Sequence, residues 1–186
     1  MTLENIIRRQ KYPCANRERG CLELFSIEHI AKHHAGCVYG KINCPFHSKC
    51  SWNGLKSDFK EHVGAAHPKS FIQKQNLHDP FLTGTLAVLS CFGELFTYRK
   101  QKKDGRLYCA VQLIGTSSEA SKYKCAFTLR AANGIEQISN TFSVQGYSED
   151  FEIIFKSGKC LNLDEATINL FVVDEKLNLI VTLSTV

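Results

Sequence analysis

Residues 44–67 read CPFHSKCSWNGLKSDFKEHVGAAH. Two cysteines are followed by a mixed polar and apolar run and then by two histidines. Taken alone, the stretch fits either a finger that reads nucleic acid or a zinc knot that braces another domain. Its echo upstream decides the architecture. Cys14-x6-Cys21-x11-His33-x3-Cys37 precedes Cys44-x5-Cys50-x11-His62-x4-His67, with offsets of 30, 29, 29 and 30 between corresponding residues. Self-similarity at such a period marks a repeated structural unit. The repeat also separates two neighbours, because only His33, and not His34, keeps the x11 interval.

Each unit offers four soft or borderline donors, the set that suits tetrahedral zinc. Cys14, Cys21, His33 and Cys37 are therefore assigned to one ion, and Cys44, Cys50, His62 and His67 to a second. The cysteine pair of each unit belongs on a turn or hairpin, where backbone amides point at thiolates. The closing pair belongs near the end of a short helix, where its spacing brings both side chains to one face. Ser26 and Ser57 are expected as the helix N-caps. Ile30 and Phe59, each three residues before a ligand histidine, are expected to face inward. A unit this small has little core, so zinc supplies much of its folding free energy, on the order of 10–16 kcal/mol for isolated fingers. Two tetrads in register argue against unconnected thiols and surface histidines. His47 lies inside the second cysteine pair but has no counterpart in the repeat, so an exposed loop histidine is expected. For His29 and His78 no ligand role is expected either. Four protein ligands close the coordination shell, so both ions are read as structural rather than catalytic.

The remaining composition is that of an ordinary folded chain: of 186 residues, 44% are hydrophobic and 22% charged. No apolar run approaches the roughly 20 residues that span a bilayer, and MTLENIIRRQKYP lacks the apolar core of a secretory signal. A reducing compartment is expected for the nine cysteines, five of which fall in the first 50 residues. The expected location is the cytoplasm, with the nucleus as a second one. Residues 1–67 carry a net charge of +4 and residues 68–186 a net +1. That is milder than the clustered basic stripe of a nucleic-acid footprint. The start of the second finger helix mixes Lys56, Lys60, Asp58 and Glu61, and the first offers Ser26, Glu28 and His29 without a Lys or Arg near its start. Phosphates would repel those acids, so base reading is disfavoured.

From about residue 80 the pattern turns to period two. Leu107, Cys109, Val111 and Leu113 alternate with polar or smaller residues, as do Tyr123, Cys125, Phe127 and Leu129, and later Leu177, Leu179, Val181 and Leu183. Asp104-Gly105, Asn133-Gly134, Gly146 and Ser157-Gly158 punctuate the runs. Several short strands without a helical stripe predict an all-β antiparallel sandwich after the small α+β fingers. Cys109 and Cys125 read as small buried hydrophobes. Glu149-Asp150 reads as a solvated turn and His78-Asp79 as linker. No Ser-His-Asp order, phosphate loop or paired-carboxylate motif appears, so no catalytic residue is assigned.

The two consecutive C-x5/6-C-x11-H-x3/4-C/H units, followed by a sandwich containing Ser90-Cys91-Phe92-Gly93, Asp104-Gly105, the run Val111–Thr116 (VQLIGT) and the closing run Leu177–Ser184 (LNLIVTLS), resemble the Seven-in-absentia (Siah/Sina) family. The resemblance spans nearly the whole chain. It implies RING-type E3 ubiquitin ligases whose two zinc fingers precede a TRAF-like sandwich that dimerises and holds substrates or adaptors for proteasomal degradation. It further implies a homodimer and partners that present short extended, proline-containing peptides to an edge strand. The expected organisation is a connector (1–13), a first finger (14–37), a second finger (38–67) and a TRAF-like domain (68–186).

Two departures qualify the transfer. A RING needs about eight Cys/His ligands, and residues 1–13 hold none. Engagement of a ubiquitin-conjugating enzyme is therefore not expected of this chain, and it is read either as the recognition part of a ligase or as a regulator that competes with full-length ligases. In the family an acidic residue and a tryptophan before Cys-Phe-Gly help to form the peptide groove; here Gly84 and Thr85 stand at those positions. Thr83, Thr85 and Ala87 are carried over as peptide-binding candidates.

Overall fold

The structure, a computed structural model, describes residues 10–37, 39–82 and 84–186. The chain divides into two compact units, Met1–Glu61 and His62–Val186. Each finger is a hairpin running directly into a helix. Strands β1 (Lys11–Pro13) and β2 (Leu24–Ser26) pair antiparallel around a 3-10 turn at Arg17–Arg19 and lead into α1 (Ile27–Gly36). Strands β3 (Lys41–Asn43) and β4 (Asn53–Leu55) repeat the hairpin and lead into α2 (Lys56–Ala66).

Ser26 takes the N-cap position of α1, but its hydroxyl meets His29 Nδ1 at 2.7 Å instead of a backbone amide. Ser57 does not cap. Strand β4 passes into α2 at Lys56, so Ser57 lies inside the first turn and donates to Asp58 Oδ1 at 2.7 Å. Phe59 and Val63, four residues apart on one helix face, are fully buried, whereas Ile30 is only half-buried. Trp52 packs against Phe59 with ring centroids 5.5 Å apart. A Cβ on Gly54 would run into the Trp52 ring, so that packing requires glycine on β4.

The second unit is a sandwich. Its strands run β5 (Phe71–Ile72), β6 (Asn76–Asp79), β7 (Thr85–Cys91), β8 (Glu94–Lys103), β9 (Arg106–Leu113), β10 (Tyr123–Arg130) and β11 (Gln137–Ser143). They continue as β12 (Gln145–Gly146), β13 (Leu161–Asp164), β14 (Val172–Val173), β15 (Lys176–Leu177) and β16 (Leu179–Thr185). One sheet has the order β12-β9-β8-β7-β5, with β13 also pairing β9; the facing sheet has the order β11-β10-β16-β6. Most pairs are antiparallel, and the exceptions β5–β7 and β9–β12 are parallel contacts of two residues each. The period-two residues fill the space between the sheets. Leu107, Cys109, Val111 and Leu113 meet Cys125, Phe127, Leu129, Leu179, Val181 and Leu183 in one core. Burying a side chain of this size contributes about 1.5–3 kcal/mol.

Tight hairpins set the register. Asp104 and Gly105 both have positive φ, 49° and 69°, the left-handed pair that matches strand twist. Phe92-Gly93 and Asp174-Glu175 repeat that geometry, with Glu175 at φ 60° where glycine is usual. Three one-turn helices interrupt the sheets: α3 (Ser117–Ala120), α4 (Phe151–Lys156) and α5 (Glu165–Asn169). They are too short to show a periodic stripe. The Glu149-Asp150 turn has a specific job, because Asp150 Oδ1 accepts from the Glu152 amide at 2.7 Å and caps α4.

The His78-Asp79 pair is not linker. Both residues lie in β6, which pairs with β16, so Asp79 alternates inward and His78 outward. Asp79 and Lys100 form an ion pair of 2.8 Å with both side chains at most 1% exposed. The Tyr98 hydroxyl donates to Asp79 Oδ2 at 2.8 Å, and the Phe81 amide and Thr85 hydroxyl donate to Oδ1 at 3.2 Å each. Lys100 also donates to the Phe81 carbonyl. A buried charge demands such a complete set of partners.

Candidate functional site

In the first finger, the hairpin and the end of α1 bring Cys14, Cys21, His33 and Cys37 together, with one ligand atom from each inside 4.8 Å of the others. His33 Nε2 lies 3.1 Å from Cys14 Sγ and 3.3 Å from Cys21 Sγ. Cys14 Sγ and Cys37 Sγ are 3.7 Å apart. A tetrahedron with Zn–S bonds of about 2.3 Å has S···S edges of about 3.8 Å, so the spacing fits zinc. All three cysteines are buried. The Asn16 amide points at Cys14 Sγ from 3.3 Å, as a knuckle supporting a thiolate requires. Phe25 stacks on His33 at 4.0 Å and holds the ring plane.

His34 has a separate role that spacing alone did not show. Its Nε2 accepts a hydrogen bond of 3.0 Å from the Ala15 amide. The adjacent histidine thus fastens the cysteine turn to the helix rather than joining the tetrad.

In the second finger, Cys44, Cys50, His62 and His67 gather in the same way within 4.8 Å. The His67 amide bonds the Val63 carbonyl at 2.9 Å, so the helical turn extends to the ligand itself. The two imidazoles meet edge-on with centroids 5.3 Å apart. Burial, and then Cys50, push the Cys44 thiol up to about 11. At neutral pH it therefore ionises only against a cation. Burial and His67 hold His62 below its ordinary value, which keeps the imidazole neutral and able to ligate. The four-donor sets of both clusters fit two structural zinc ions, with no protein position left open for chemistry. His47 belongs to neither cluster.

Cys109 and Cys125 are buried in the sandwich core. Burial raises the Cys109 and Cys125 thiols to about 12, far from the range of a reactive thiolate. No disulfide joins any of the nine cysteines.

The peptide-binding candidates are placed unequally. Thr83 lies outside the described residues. Thr85 is half-buried at the start of β7, and its hydroxyl is held by Asp79. Ala87 is 3% exposed and its side chain belongs to the core, so only its backbone is offered to a peptide. Gly84, Thr85, Leu86, Arg99, Lys100 and Gln101 line a shallow depression of about 340 Å³. Strand β7 pairs along its whole length with β8, but on its other edge β5 reaches only Val88 and Leu89. Among the described residues, the edge from Thr85 to Ala87 has no ladder partner there.

Two closed Cys/His sites on hairpin-helix fingers, followed by an antiparallel sandwich, define a zinc-braced protein whose larger unit holds no catalytic constellation among the described residues. The family model described as "Sina, zinc finger" matches residues 5–79, and that described as "Sina, TRAF-like domain" matches residues 89–182. The chain belongs to the Sina family. It is 25% identical over 202 residues to the E3 ubiquitin-protein ligase siah-1 of Caenorhabditis briggsae, covering 98% of this chain and 45% of that one. It is 24% identical over 200 residues to the E3 ubiquitin-protein ligase sina of Schistosoma mansoni, covering 100% of this chain and 53% of that one. To the E3 ubiquitin-protein ligase SIAH2 of Homo sapiens it is 24% identical over 202 residues, 100% of this chain and 61% of that one. The chain spans about half the length of the curated relatives it matches.

Proposed function

We propose that this chain is the substrate- and adaptor-recognition part of a Siah/Sina-type E3 ubiquitin ligase, and that it forms a homodimer and directs bound proteins to ubiquitination and degradation. The observation that supports this most is the joint match of the finger pair and the TRAF-like domain to relatives that are E3 ubiquitin-protein ligases. The zinc sites brace; the sandwich binds. Its open β7 edge supports docking of an extended peptide by strand addition. Backbone bonds to Thr85–Ala87 would supply affinity, and the depression beside Leu86 and Arg99 would supply side-chain selection.

Titration of the full chain with extended proline-containing peptides tests the reading. Binding is expected with slowed amide hydrogen exchange at Thr85, Leu86 and Ala87, and Leu86→Glu should weaken it while leaving the zinc content intact. Failure of every such peptide to bind, together with failure to retain any ubiquitin-pathway partner, would overturn the proposal.

A further inference from the structure

The outer face of the β11-β10-β16-β6 sheet lies apart from the β7 edge. Cross-strand partners share a face, so the registers of β11, β10, β16 and β6 place Gln137 and Ser139 beside Arg130 and Thr128, then Ile180, then His78. No carboxylate stands on this face at any paired position of these four strands, while Lys124, Arg130 and His78 all do. At one end the β14–β15 hairpin borders an open pocket of about 350 Å³ with the ends of β6 and β10, within the size range of ligand sites.

Pro80, Ala132 and Val173 supply the accessible apolar lining of that pocket, while Phe171 and Leu177, at most 2% exposed, belong to the main core. Arg130, Lys176 and His78 line it as well, and all three are exposed. His78 Nε2 donates to Asn178 Oδ1 at 3.1 Å, and Arg130 Nε donates to Gln137 Oε1 at 3.0 Å. These bonds leave the outer guanidinium nitrogens and the Lys176 ammonium for a ligand. The hairpin-tip acids Asp174 and Glu175 are not among the lining residues.

We infer that this pocket docks an acidic peptide segment of a protein partner, with one aromatic or aliphatic side chain against Pro80 and Val173 and flanking carboxylates on Arg130 and Lys176. The occupant follows from charge complementarity: accessible apolar side chains set beside the cations Arg130 and Lys176, with no lining carboxylate. Arg130 can take a carboxylate through two parallel N–H bonds. The site goes beyond the strand-addition reading, since it shares no lining residue with the β7 depression, and either can fail alone.

The test uses the full chain and a fluorescein-labelled peptide of alternating Glu and Phe, with the Gln-for-Glu peptide as its neutral twin. Anisotropy should report binding of the acidic peptide, roughly tenfold or more tighter than its twin, weakening as salt rises and the Debye length shrinks. Arg130→Glu combined with Lys176→Glu should cost roughly tenfold or more. Zinc content and the melting curve should stay unchanged, as both positions are exposed. Equal binding of the two peptides, full binding by the reversal variant, or no binding at millimolar peptide would each overturn the inference. So would conversion of a dimer to a monomer by the reversal variant, because a second copy would then occupy the pocket.

Discussion

Breaking the Asp79–Lys100 pair one partner at a time should be costly, and breaking it from both sides less so. The pair sits at 2.8 Å with at most 1% of either side chain exposed. Removing one member of such a pair leaves the other charge stranded, at about 3–5 kcal/mol. The surroundings rank the two single changes. After Lys100→Met, the Asp79 carboxylate keeps the Tyr98 hydroxyl at 2.8 Å and the Phe81 amide and Thr85 hydroxyl at 3.2 Å, which puts the loss near 3 kcal/mol. After Asp79→Ala, the Lys100 ammonium loses its counter-ion and keeps the Phe81 carbonyl, which puts the loss near 5 kcal/mol. At roughly 4 °C per kcal/mol for a domain of this size, the melting point falls by about 12 °C and about 20 °C respectively. The double change Asp79→Asn with Lys100→Met removes both charges and keeps one carbonyl acceptor, so it should be more stable than Lys100→Met alone. Calorimetry follows the sandwich transition, while emission from Trp52, the one tryptophan, reports the second finger separately. A Lys100→Met chain within about 1 kcal/mol of native, or a double variant no more stable than Lys100→Met, would show that the buried pair does not act this way.

Glu175→Gly should stabilise the sandwich by about 0.5–1 kcal/mol in urea unfolding, because Glu175 holds a φ of 60° that glycine adopts freely. Gly54→Ala should shift the Trp52 emission and lower the melting point of the second finger, since the added methyl meets the indole; an unchanged emission spectrum would contradict the packing. Zinc uptake near neutral pH should release protons, since Cys44 stays protonated up to about 11 without a cation. Calorimetric titrations in buffers of different ionisation enthalpy measure this, and identical heats would count against it. Asp164 caps α5 through the Thr167 amide at 2.8 Å, which holds its carboxyl below the ordinary value. A depressed carboxyl contributes stability above its unfolded pKa and loses it as pH falls through the folded value. Asp164→Ala should therefore be less stable than native at neutral pH, with the two curves converging as the pH drops below about 4.

Much of the architecture could be read in advance because it rests on local chemistry. The finger ligands follow a spacing that zinc geometry imposes, and the central strands follow a two-residue period that one buried face imposes. Asp104-Gly105 announces its hairpin through the one residue that enters left-handed space freely. What escaped the reading depends on distant partners. Asp79 looked like linker because β6 spans only four residues, and its reason for being acidic, Lys100, lies two strands further on. Lys100 itself interrupts an otherwise apolar face and makes sense only beside Asp79. Ser57 missed its cap because β4 runs into α2 without a loop. His34 found its partner, the Ala15 amide, across the finger rather than along the helix. The candidate pocket beside Phe171 was equally hidden, since Arg130, Lys176 and His78 come from three separate strands.

Two closed four-ligand zinc sites hold the two fingers together. Native mass spectrometry of the intact chain, with and without Cys50→Ser, measures this directly. Two zinc ions per native chain and one in the variant are expected, with the calorimetric transition of the sandwich retained. One ion or none in the native chain, or two in the variant, would contradict it.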